Sequence, residues 1–137
     1  MIWVRGRIYF HNRFGFHDGA TGKKFLILIN NPQKSEPYLF IKITTQQKNK
    51  PVEYGCHIRQ KVFYIPAGKT YFFKNTWVQL HEIYPFTPTK LIADGINKTL
   101  IHKDKLAEQM INEIVNCLLK SSVEDIETEY LKLIKKR

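Results

Sequence analysis

The chain has 137 residues, 43% of them hydrophobic and 25% charged, with a formal net charge of +10. That length gives one domain with a real core (1-137), the composition excludes a disordered chain, and the longest apolar run, Phe25-Leu26-Ile27-Leu28-Ile29, is too short to span a membrane. The "MIWVRGR" start lacks the apolar core of a signal peptide, so the expectation is a soluble, cytoplasmic protein with no membrane partner.

The charge is unevenly placed. Residues 1–99 carry 15 Lys+Arg against 5 Asp+Glu, whereas residues 100–137 carry 7 against 7. The first part also holds 17 of the 18 aromatic residues. Basic charge interleaved with aromatics is what phosphate contact and base stacking require, although aromatics filling a β core beneath solubilising lysines give the same composition.

In chain order, "IWVRGRIYF" reads as a strand with Gly6 as a bend. A long loop, "HNRFGFHDGATGKK", leads to the run from Phe25 to Ile29, which is short, rich in branched and aromatic residues and closed by "NNPQKSE", as a buried strand would be. "YLFIKITT" (38–45) is a further strand, "GCHIRQKVFYIP" supplies one or two, "AGKT" is a turn, and "TWVQLHEIYPF" reads as a last long strand. Five to seven short strands in about ninety residues have the spacing of a small barrel.

Beyond residue 99 the period changes. Leu106, Met110, Ile111, Ile114, Val115, Leu118 and Leu119 recur at helical spacing, predicting an amphipathic helix over 104–120 that lies across the barrel. "SSVED", with Ser121 and Glu124 as a capping box, predicts a second helix with Val123, Ile126, Tyr130, Leu133 and Ile134 on its apolar face and "KKR" at its end. The fold class expected is mainly β with C-terminal helices: a basic barrel over 1–99 and a helical segment over 100–137.

Cys56 and Cys117 match no CxxC or catalytic pattern, and two reduced structural thiols are the expectation, with a disulfide as the alternative. His57, His81 and His102 lack ligand spacing, so no metal site and no cofactor is expected.

The stretch "DGATGKKFLILIN" joins two glycines and two lysines to an apolar run, as a nucleotide-binding P-loop does. The P-loop needs a glycine where His17 stands, a hydroxyl residue where Lys24 stands, and a helix where a strand is predicted. Nucleotide hydrolysis is excluded on those grounds. A lysine loop between two strands remains.

"RGRIYF", the glycine-containing loop ending in basic residues, "FLILINN", "IKITTQ", "TWVQLHEIYPF" and the amphipathic helix follow one another in an order that resembles the PemK/MazF family of toxin endoribonucleases, over about residues 1–120. The resemblance implies an SH3-like barrel with a C-terminal helix, usually homodimeric, that cuts single-stranded RNA without metal and is neutralised by an antitoxin protein. It places Lys23 where the family has a catalytic arginine and Thr44 where it has a catalytic Ser or Thr. Lysine for arginine, and Lys24 for the usual proline, are departures.

Cleavage of this kind removes a proton from the ribose 2′-OH, supplies one to the leaving oxygen and holds extra negative charge on the phosphoryl group. Lys23, next to Lys24 and partly desolvated, would have a depressed pKa that eases proton transfer, and Thr44 would donate a hydrogen bond. Lys24, His17, Asp18 and Thr45 are second-rank catalytic candidates. Lys48, Arg59, Lys61 and Gln46 are candidates for contacting an RNA backbone.

A rival reading is a barrel without catalysis, binding RNA or a protein partner. Its CcdB-type version ends in Trp-Gly-Ile, whereas this chain ends in "LIKKR". The helix beyond Lys120, outside the family's usual pattern, is expected to pack on its own chain or to extend a dimer interface.

Overall fold

A computed structural model describes residues 3–15 and 17–136. Ile2 of the first expected strand, Phe16 of the first loop and Arg137 of the terminal "KKR" lie outside the described residues. The chain is mainly β with helices towards the C-terminus, as its periodicity predicts. Among the described residues, eight strands, β1 (Arg7–Gly15), β2 (Thr21–Leu28), β3 (Tyr38–Thr44), β4 (Gly55–His57), β5 (Val62–Ile65), β6 (Thr76–Gln79), β7 (Tyr84–Phe86) and β8 (Leu100–Lys105), form an open antiparallel sheet ordered β4-β5-β6-β3-β2-β1-β8, with β7 also paired to β3.

The first hairpin is longer than the sequence suggests. β1 (Arg7–Gly15) and β2 (Thr21–Leu28) take in most of the stretch read as a loop, pairing Phe10 with Phe25, His11 with Lys24 and Phe14 with Gly22. A register shift between His11 and Phe14 breaks the alternation there, which is why the period of two is hidden in "HNRFG".

β3 (Tyr38–Thr44) is the central strand. One edge pairs with β2, and the other pairs first with β7 (Tyr84–Phe86) and then with β6 (Thr76–Gln79). The predicted last long strand is therefore two. Pro85 sits in β7, paired only on its β3 side, where a residue without a backbone N–H is tolerated. β4 (Gly55–His57) and β5 (Val62–Ile65) complete one end of the sheet.

Both faces of the centre are covered. Ile8, Ile27, Leu39, Ile41 and Ile43 belong to a core shared with Ile111, Ile114 and Leu118 of helix α2 (Glu108–Ser121). Tyr9, Leu26, Leu28 and Phe40 face the other way, onto Leu91 of helix α1 (Pro88–Ile96). Burial on two sides accounts for the unbroken apolar run of β2, where a sheet with one wet face would alternate.

α1 was not anticipated, although Thr87 caps it by accepting the Lys90 N–H at 3.1 Å and Pro88 occupies its first turn. Nor was β8 (Leu100–Lys105), which pairs with β1, so the sheet extends past residue 99 and α2 starts at Glu108 rather than Asp104. The capping box at Ser121 does not form. Ser121 ends α2, Val123–Asp125 is a short 3-10 turn, and the last helix, α3, runs Thr128–Lys135. α3 packs on its own chain, with Leu131 and Ile134 in the same core as α2.

The reduced cysteines are also corrected. Cys56 of β4 and Cys117 of α2 form a disulfide, with Cα atoms 5.5 Å apart. Their separation of 61 residues hid the pairing, which arises because α2 lies over the β4–β5 end of the sheet.

Candidate functional site

Lys24 and Thr44 meet because of strand register. Leu26 of β2 is opposite Lys42 of β3, so continuing the ladder outward brings Lys24 level with Thr44. The β2–β3 pairing stops before that point, while on the opposite edge the end of β3 pairs Thr44 with Trp77 of β6. Where the strands part, the Lys24 ammonium donates to the Ile43 carbonyl at 3.1 Å. A side-chain cation thus occupies an acceptor that the ladder has released.

A cavity of about 300 Å³ opens at this fork. β2 contributes Lys23, Lys24 and Phe25 to its wall, and the end of β3 contributes Thr44, Thr45 and Gln46. Five of the sequence-predicted residues are therefore together. The Thr44 hydroxyl accepts the Gln46 N–H at 3.2 Å, which fixes the oxygen and leaves its proton available to a ligand.

The remaining wall was missed in the sequence. Tyr71, Phe72, Phe73 and Lys74, on the loop between β5 and β6, close the far side with Thr76. Phe72 is the buried anchor, packing 5.7 Å from the Phe25 ring. Three aromatics in a row beside lysines, in "KTYFFKN", were the available signal. They lack the alternation of a strand and read as a connection.

The electrostatics are one-sided, with three lysines and no carboxylate among the described residues of the cavity wall. Lys24 is half-buried, and desolvation, followed by repulsion from Lys42 and Lys50, holds its ammonium below the ordinary lysine range. Lys23 is exposed at the rim. The partial desolvation expected of Lys23 therefore falls on its neighbour. Lys50, not singled out in the sequence, donates to the Gln46 carbonyl at 3.1 Å and stands behind the site.

The other candidates lie elsewhere. His17 stacks on Tyr84 with ring centroids 4.3 Å apart and approaches Glu82 at 3.5 Å, in a separate depression with His81 and Tyr130. Asp18 accepts the Ala20 N–H at 2.9 Å, a local turn. Lys61 is held by Asp125 at 2.6 Å, tying the β4–β5 turn to the segment before α3. Arg59 is exposed on that same turn, and Lys48, with φ of 36°, is on the turn after β3 but off the cavity wall.

One arrangement resembles a catalytic dyad and is structural. His11 of β1 and Asp94 of α1 lie 3.0 Å apart, 3% and 5% exposed. His11 Nδ1 accepts the Arg13 N–H at 3.2 Å and Nε2–H donates to Asp94, so neither nitrogen is open to a substrate. Among the described residues, no group of three or more His, Cys, Asp or Glu side chains is placed to hold a metal ion. Nor, among the described residues, is any helix long and apolar enough to cross a membrane.

In comparison with known proteins, the chain matches no family model and no curated protein.

Proposed function

We propose that the protein is a PemK/MazF-like toxin that binds single-stranded RNA at the fork between β2 and β3 and cleaves it without metal. The observation that carries this reading is the convergence of Lys23, Lys24 and Thr44 on one cavity with no carboxylate among its described lining residues. A lysine-lined, acid-free wall suits a phosphodiester, whose charge it neutralises as counterions are released.

The chemistry follows from the side chains. The 2′-oxygen attacks phosphorus and the bond to the 5′-oxygen breaks, leaving a 2′,3′-cyclic phosphate and a 5′-OH. Lys24, its pKa lowered by burial, accepts the 2′ proton in its neutral form. Lys23 offsets the charge on the phosphoryl oxygens and supplies the proton to the departing oxygen. Thr44 donates its hydroxyl proton to a phosphoryl oxygen. Two lysines share the work of one arginine, whose planar fork would hold the phosphate in a fixed orientation.

The reading carries with it a homodimer, an antitoxin partner and action in the cytoplasm, where RNA is available and thiol reductants set whether the Cys56–Cys117 bond persists. The rival, a barrel that binds RNA without cutting it, draws on the same lysines and on the absence of an arginine among the described residues of the cavity wall. A short RNA and its counterpart with a single 2′-deoxy residue at the cut site separate the two. Cleavage of the first alone, lost in Lys23→Ala and Thr44→Ala, supports the enzyme. Salt-sensitive binding of both without cleavage supports the rival.

A further inference from the structure

Phe73 is 80% exposed, the most exposed of the large hydrophobic side chains described. Its loop is tied in place: the Phe72 carbonyl accepts the Gly68 N–H at 3.1 Å, the Phe72 N–H reaches the Thr70 hydroxyl at 3.2 Å, and the Ala67 N–H donates to the Asn75 side chain at 2.9 Å. With Phe72 buried as the anchor, Phe73 is presented outward on a fixed backbone. The Lys74 ammonium stands 6.0 Å from the Phe73 ring centroid, and both residues line the cavity that holds Lys23, Lys24 and Thr44.

An apolar ring set in a wall of cations does not suit an apolar ligand, which would desolvate the lysines. It suits a group with a flat π-face and an attached anion. We propose that Phe73 is the stacking platform for one unpaired base of the bound strand, next to the phosphate at Lys23 and Lys24, with Lys74 facing the following phosphate. The inference rests on the proposed function and adds the basis of strand selection. Stacking of this kind tolerates any base, because every base has a π-face, but a base within a duplex already has both faces covered. Phe73 therefore selects single strands and not a sequence.

The test uses fluorescence anisotropy with a labelled eight-nucleotide 2′-O-methyl RNA, which cannot be cleaved, and a set of oligonucleotides each with one abasic position. For the intact protein, one abasic position is expected to weaken binding about five- to hundredfold, the range of one base–aromatic contact. Phe73→Ala is expected to weaken binding of the complete strand by the same factor and to lose nothing more at that abasic position, while Phe73→Trp retains affinity. The slope of affinity against salt stays unchanged in both variants, since no charge is removed. The inference is overturned if Phe73→Ala binds the complete strand as the parent does, or loses equally on every oligonucleotide. If binding persists and Lys23→Ala weakens it while Phe73→Ala does not, the stacking role alone falls. If the parent protein binds none of the strands, the underlying reading falls with it.

Discussion

The Lys24 ammonium lies 3.1 Å from the Ile43 carbonyl, at the point where β2 and β3 cease to pair. The fork thereby places a half-buried cation beside the Thr44 hydroxyl, and the aromatic loop opposite completes the cavity. The site is a consequence of β3 losing β2 along one edge while its end stays paired with β6 along the other.

The depressed pKa of Lys24 has a calculable direction. Between its lowered folded value and the ordinary 10.5, the unfolded chain binds the extra proton, so this group's penalty on stability is present below the folded value and is relieved as pH rises through the window. RNA affinity should move the opposite way, falling as Lys24 loses its charge at a pH below 10.5. Titration of oligonucleotide binding from neutral to alkaline pH checks this. Lys24→Arg should shift the fall upward, because guanidinium keeps its proton.

Removal of the Cys56–Cys117 bond should destabilise the fold without touching the site. For a separation of 61 residues, loop-closure entropy gives about 4 kcal/mol, and measured losses for native bonds run about 2–5 kcal/mol. Denaturant unfolding of Cys56→Ser/Cys117→Ser against the oxidised protein reads the difference, while RNA affinity should be unchanged.

Gly6 should resist substitution. Its φ is +96°, and a β-carbon there would sit 3.3 Å from the Ile111 side chain on α2, while its N–H and carbonyl bond Leu28 and Leu106. Gly6→Ala should cost about 1–3 kcal/mol through backbone conformation and crowding. Thermal unfolding measures it.

His11→Ala should cost about 2–4 kcal/mol, because it leaves the buried Asp94 with Lys90 as its remaining partner, 3.0 Å away. Cleavage rate per folded molecule should be unaffected, which separates this buried pair from the lysine site.

The legible parts of the molecule were those with an unbroken physical pattern. β3 and the C-terminal end of α2 are legible because a compact branched and aromatic run and a period of 3.6 survive in "YLFIKIT" and "EQMINEIVNCLL". The extended hairpin was not, since the irregularity between His11 and Phe14 disrupts alternation. β8 falls inside the predicted helical segment over 100–137 because "LIHKDK" has no apolar period of its own and owes its conformation to β1. At the site, Lys23, Lys24, Thr44, Thr45 and Gln46 lie on either side of one turn and were within reach of motif spacing. Phe73 and Lys74 come from a loop about thirty residues further on, and only the fold brings them across the cavity.

The most direct test incubates the purified protein with single-stranded RNA in EDTA and determines the ends of the fragments. A 2′,3′-cyclic phosphate and a 5′-OH are predicted, with the rate reduced about 10²–10³-fold in Thr44→Val, as for loss of one preorganised donor. Intact RNA at every pH examined, or a rate unchanged in both Thr44→Val and Lys24→Ala, would contradict the account.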